Sequence, residues 1–426
     1  MAGCGPTLGS QDGSGSGESG ATSRASTGSD GDSLDGPNEG GDADETGQAP
    51  RGCDGAPGVL SIRSYEGMAE RTVGRDMVRG ADGNLYVGGS MADARSMSLW
   101  LAAMDAEGEL LWESAAESVP GGNLSGSPPT AQALAVVDGT LYFAGSVYAA
   151  NQITGLLGNA DTADGQLTFG VSRPGLRWSA LGATESHELL VAGDNNEAAA
   201  QVRVERLAGA SVLWSHVSPS GGLDEVAGVV ADGEQVYLAG RSMDGPWFGR
   251  YSDPDGAESV STLGVVGTNF EPESGRFYGI TKSGASLVAT GWVRQEKPDP
   301  EDGVGSYDFG EIVVVGFSSQ GQQEWLWQRS ATVIRPGTAY AAATGPDGTV
   351  YVTGDEGAFG DDDGLFVAAF TAGGELLWIV DDDTVGDEIL GHTGVGISSG
   401  ADGRLHVLTN RRVDGAETTA IVELCL

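Results

Sequence analysis

Three cysteines, four histidines and 61 carboxylates are the side chains of this sequence that could do chemistry. The histidines, His187, His216, His392 and His406, form no HxxxH or HExxH pair, so they present no zinc site of the usual kind. The cysteines, Cys4, Cys53 and Cys425, lie far apart and mark no thiol nucleophile. No glycine-rich loop stands between a strand and a helix, where a phosphate would be cradled. Carboxylates are so abundant that some pair must fall at glycosidase spacing by chance, so a pair carries no specific signal. Two acidic stretches could offer hard oxygen ligands to calcium: Asp355, Glu356, Asp361, Asp362 and Asp363, and Glu296, Asp299, Glu301, Asp302 and Asp308. Neither has the spaced Asp-x-Asp-x-Asp-Gly pattern, and Phe359 stands where a first ligand would be. The reading is therefore a solvated acidic loop with no cofactor, calcium being the one ion left open. Trp292 opens the longest of the variable loops and is the aromatic residue best placed for an exposed contact.

The elements that must position these residues repeat. Asp82-Gly83-Asn84-Leu-Tyr-Val-Gly88-Gly89 is followed by Leu99 to Met104 and Gly108-Glu-Leu-Leu-Trp112. Asp347-Gly348-Thr349-Val-Tyr-Val-Thr-Gly354 is followed by Leu365 to Phe370 and Gly374-Glu-Leu-Leu-Trp378. Each unit reads as four short strands, A to D, with an Asp-Gly hairpin between A and B. The strand-B signature recurs as Tyr86–Gly89, Tyr142–Gly145, Leu190–Gly193, Tyr237–Gly240, Leu287–Gly291 and Tyr351–Gly354, with a degenerate last copy at Leu405–Asn410. Seven four-stranded units in series predict radial closure, which protects sheet edges. The fold class expected is all-β: a seven-bladed β-propeller of four-stranded antiparallel blades. Trp112, Trp214, Trp327 and Trp378 recur at one place in four units, which indicates packing between blades.

The seventh unit has strands A, B and C but no chain left for D. Val59–Tyr65 is an unassigned strand before the first unit, and the reading gives it that place. Cys53 and Cys425 would then lie near each other, placed for a disulfide that implies an oxidising compartment. Residues 1–52 contain almost nothing that packs, and are read as a disordered Gly/Ser/Asp-rich tether ahead of a propeller domain at 53–426.

A formal charge of −39 argues against nucleic acid as a partner. No apolar run approaches the ~20 residues of a spanning helix. Met1-Ala-Gly-Cys4 resembles the end of a bacterial lipoprotein signal, which implies lipid attachment at Cys4 and makes that anchor the only membrane link.

The repeat units resemble a bacterial seven-bladed β-propeller repeat family (SBBP-like), whose pattern is Asp-Gly-x-x-Tyr-Val-x-Gly, a loop, then a strand and a Gly-x-Φ-x-Trp turn. The match is best at 76–112 and 338–378. The resemblance implies an extracellular or cell-surface lipoprotein, here at the outer membrane or cell surface. A second, weaker resemblance, through Asp105–Trp112, is to quinone-type propellers. The B–C and D–A loops vary most, and they lie on one face. An acidic, wet binding face is expected there, with Trp292, Asp299, Asp302, Asp355, Asp361, Asp362 and Asp363 as candidates. Most strand-A segments read as small and apolar, and the arginines as scattered. That favours a non-catalytic, monomeric binding or scaffolding protein for a protein or glycan. The alternatives are a secreted carboxylate-based hydrolase or lyase, or a periplasmic assembly scaffold.

Overall fold

The computed structural model describes residues 57–425, apart from segments 66–70, 93–96, 117–128, 150–151, 196–200, 219–222, 243–244, 253–256, 263–274, 299–305, 330–336, 358–363, 382–390, 401 and 414–415. The described chain is all-β and forms seven four-stranded antiparallel sheets. Blades 1 to 6 run in sequence order, with A strands at Arg71–Arg79, Thr130–Val137, Leu176–Ala183, Leu223–Asp232, Gly275–Ser283 and Gly337–Thr344. Blade 7 takes its A, B and C strands from His392–Ser399, Arg404–Val413 and Ala416–Cys425. Its fourth strand is Gly58–Ser64, paired with Ala416–Cys425 from the register Gly58↔Cys425 to Ser64↔Ala420. Consecutive A strands touch all the way round, blade 7 against blade 1 included, so the A strands line the axis. The ring is closed by its two ends, as the repeat count requires.

The Cys53–Cys425 disulfide expected from the sequence is not shown: Cys425 is the one cysteine among the described residues, and Cys53 falls outside them. Among the described residues ring closure is carried by the backbone ladder between the first and last strands, where the Cys425 Sγ lies 3.7 Å from the Gly58 carbonyl oxygen.

The A–B hairpins use the turn chemistry that their sequences offer. Gly83, Gly348 and Gly403 take positive φ at Asp-Gly or equivalent sites, and His187 adopts φ 63° at the corresponding turn of blade 3. Between blades the core is apolar. Buried aromatic side chains such as Trp100, Trp178, Trp247, Phe143, Phe277 and Phe366 fill it.

One sequence assignment shifts by two residues. Trp325, not Trp327, is the repeat partner of Trp112 and Trp378. Each follows a positive-φ turn glycine by four residues (Gly108, Gly321, Gly374). The Trp112 Nε1 donates to the Thr162 carbonyl at 2.8 Å, and the Trp325 Nε1 to the Ala372 carbonyl at 3.1 Å. Both indoles thus dock on the C–D turn of the next blade.

Candidate functional site: the axial channel

The site begins with the strand-B glycine. In blades 1 to 6 a Cβ on that glycine (Gly89, Gly145, Gly193, Gly240, Gly291, Gly354) would fall 1.8–2.0 Å from a strand-A carbonyl oxygen. Only glycine lets the two strands approach that closely. The carbonyl can sit there because strand A bulges immediately after it. Register shifts fall at Gly74/Asp76, Ala131/Ala133, Trp178/Ala180, Val226/Gly228, Phe277/Gly279, Ala339/Ala341 and Gly394/Gly396. In blade 7 Thr409 takes the glycine's place, its hydroxyl bonded to His392 Nδ1 at 2.9 Å.

A bulge leaves one residue unpaired and re-aims its side chain. The seven residues so placed are Arg75, Gln132, Ser179, Ala227, Tyr278, Tyr340 and Val395. All seven line the channel, and they are the residues shared by two cavities stacked along it, of about 400 and 260 Å³. They form a waist. The larger cavity lies toward the starts of the A strands, and so toward the D–A and B–C loops; its wall also includes Arg177, Glu225 and Arg276.

These wall residues form one chain of contacts across four blades. Arg177 reaches Asp194 at 3.0 Å and Glu225 at 3.2 Å, and Arg276 reaches the same Glu225 oxygen at 2.9 Å. The Arg276 guanidinium lies 4.4 Å from the centre of the Tyr278 ring, which meets Tyr340 edge-to-face at 4.9 Å. Asp194 is buried, and burial pushes its carboxyl up to about 6 against the opposing pull of Arg177. On the far side, Arg75 is exposed to the channel and has no ion-pair or hydrogen-bond partner among the described residues. Its neighbour on the next blade, Gln132, has none either. Ser179 donates to the Val226 carbonyl at 2.5 Å, which leaves its oxygen as an acceptor.

Below the waist stands Asp76, where the other blades have Ala133, Ala180, Gly228, Gly279, Ala341 and Gly396. Its two oxygens accept the backbone N–H groups of Met77 at 2.8 Å and Leu134 at 2.7 Å, so it ties blade 1 to blade 2. Burial nevertheless raises its carboxyl to about 7.

The expectation of a small, apolar axis with scattered arginines is therefore corrected. Arg75, Arg177 and Arg276 converge, and arginine, glutamine, serine and two tyrosines come to the axis from five blades. Of the residues singled out in the sequence, Trp292 is half-buried and pairs with Arg276, while Asp355 pairs with Thr338 and Leu365. Neither lines the described cavity. Glu296 and Asp308 pair across strands B and C of blade 5. Asp299, Asp302, Asp361, Asp362, Asp363, Cys4 and Cys53 lie outside the described residues. No histidine lines the described channel, and no group of three metal-ligating side chains occurs among the described residues.

No protein-family sequence model matches this chain. No curated protein matches it in sequence. Solved structures of similar architecture include a chain of the mitotic checkpoint complex, at 11% identity and TM-score 0.49, covering 91% of this chain and 96% of that one. Another is Sqt1 from Chaetomium thermophilum, at 12% and 0.49, covering 86% and 98%. A third is polysaccharide lyase Uly1, at 10% and 0.48, covering 83% and 89%. The chain is a seven-bladed β-propeller. Among its described residues no helix is long and apolar enough to cross a membrane.

Proposed function

We propose that this propeller is a non-catalytic, extracytoplasmic binding protein that receives its ligand in the wider half of the axial channel, on the side of the variable loops. The observation that supports this reading is the ring of bulge residues. Seven strands each spend an unpaired residue on the axis, and the result is a polar cavity of about 400 Å³, within the range of small-molecule sites. Its acids are already committed: Glu225 to Arg177 and Arg276, and Glu417 to Arg71. Groups held in this way orient a ligand rather than shuttle protons. Attachment at Cys4 and membership of an SBBP-like family of surface lipoproteins remain part of the proposal. They rest on Met1–Cys4 and on the repeat signature.

A second reading, a carboxylate-based hydrolase or lyase, gains from one observation. Polar side chains from several A strands do converge on the axis, as an active site in a propeller would require. One experiment addresses both readings. A library of glycans and small metabolites is screened for binding to the wild type and to Ala227→Trp, which fills the waist without removing a polar group. The bound compounds are then recovered and weighed by mass spectrometry. Hits lost in Ala227→Trp and recovered unchanged are expected. Hits that bind both proteins equally would overturn the channel reading, and hits recovered as cleaved products would favour the enzyme.

A further inference from the structure

We propose that the channel site takes a hydroxylated carboxylate, a uronate-type sugar, with its carboxylate on Arg75. This rests on the reading of the channel as a ligand site and narrows its ligand class.

The argument starts from charge. Arg177 and Arg276 are each paired to carboxylates, whereas Arg75 has no partner among the described residues. A guanidinium in a wall is a planar fork that fits a carboxylate through two parallel hydrogen bonds. One unpaired cation calls for one negative charge. Glu225 and Glu417 line this cavity already paired, to Arg177 and Arg276 and to Arg71, and the chain as a whole carries −39, so a dianion would meet more repulsion than the single free cation offsets.

The neighbours of Arg75 define the rest of the ligand. Gln132, on the adjacent blade, offers both a donor and an acceptor, neither taken by a described residue. Ser179, one blade further, has its hydroxyl hydrogen on Val226 and can accept. Carboxylate, then donor–acceptor, then acceptor is a sequence that an acidic sugar meets with its carboxylate and successive hydroxyls. Ala227 and Val395 leave room on the waist, and the half-buried Tyr278 and Tyr340 rings form the opposite wall. Such a wall suits the C–H face of a pyranose.

The sugar could come free or as the end of an acidic glycan, and the probes separate the two. Isothermal titration with D-glucuronate, a short uronate oligomer, D-glucose and inorganic sulfate is carried out on the whole chain, the wild type beside Arg75→Gln. Glucuronate or its oligomer is expected to bind, with glucose at least tenfold weaker. A free sugar as the natural ligand predicts equal affinity for both, and a glycan end predicts tighter binding of the oligomer. Arg75→Gln is expected to lose at least tenfold for the acidic probes while melting at the wild-type temperature, since Arg75 is unpaired and exposed. Glucose binding as well as glucuronate, sulfate competing as strongly, or Arg75→Gln binding undiminished would each overturn the assignment. If Ala227→Trp blocks hits that carry no carboxylate, the channel reading stands and this one falls.

Discussion

Replacing Gly89 with alanine tests the geometry from which the site is built. The added Cβ would stand 2.0 Å from the Val73 carbonyl oxygen. An ordinary carbon–oxygen approach is about 3.3 Å, so the strands must part by roughly 1.3 Å or the bulge at Arg75 must be erased. Packing an extra methyl into a space that cannot hold it costs about 1–3 kcal/mol, and here the obstacle is backbone, so the upper end applies. A smaller gain, about 0.4–1 kcal/mol from restricting the unfolded chain, works the other way. The net is a loss of about 2 kcal/mol. Gly170→Ala is the internal control. Gly170 lies exposed in a D strand, and its Cβ would meet the Leu157 carbonyl at an ordinary 3.7 Å. Urea unfolding followed by tryptophan fluorescence should give a clearly lower midpoint for Gly89→Ala, and a midpoint at or above the wild type for Gly170→Ala. Equal midpoints would refute the claim that the strand-B glycine exists to seat the bulge.

Three other outcomes follow from the same geometry. The Asp76 carboxyl, raised to about 7 in the folded chain, makes the folded state hold its proton longer than the unfolded state, so its contribution to stability is present at acid pH and is lost as pH rises to about 7. Asp76→Asn should remove that part of the pH dependence, a few kcal/mol at most between pH 5 and 8; matching pH profiles for variant and wild type would sink the assignment. Arg177→Ala should strand the buried Asp194 carboxylate and lower stability by about 1–3 kcal/mol, less than for a fully buried pair because Arg177 is partly exposed; an unchanged thermal midpoint would mean the pair contributes nothing. Trp325→Phe should cost about 1 kcal/mol more than Trp327→Phe, because only the Trp325 indole N–H holds the next blade's carbonyl; thermal denaturation of the two variants side by side decides it.

Blade number, strand order and closure by Gly58–Ser64 were all legible in the sequence, because hairpin turns and strand-B glycines recur at a scale that only repeated four-stranded sheets satisfy. The channel was not, and the reason is one residue of register. A composition reading of strand A as small and apolar does not reveal the unpaired residue between Gly74 and Asp76, and so misses Arg75's place on the axis. The strand-B glycine is a clue that a close neighbour stands there, but counting back through the Asp82-Gly83 hairpin sets Gly89 opposite Arg75, and only the bulge moves its partner to Gly74. The same kind of slip exchanged Trp327 for Trp325, since counting from the turn glycine gives the right indole and matching the Leu-Trp pair does not. Composition also says little about charge at the axis. The charge of −39 is a whole-chain property. At the axis, Arg75, Arg177 and Arg276 stand against Glu225 and Glu417.

The most direct test of the account is a crystal structure of the chain with the tightest ligand from the screen bound. The account predicts ligand density in the wider half of the channel, resting on the waist and within hydrogen-bonding distance of Arg75 and Gln132. Density on the outer D strands, at the exposed Leu110 and Leu111, with the channel holding only water, would contradict it.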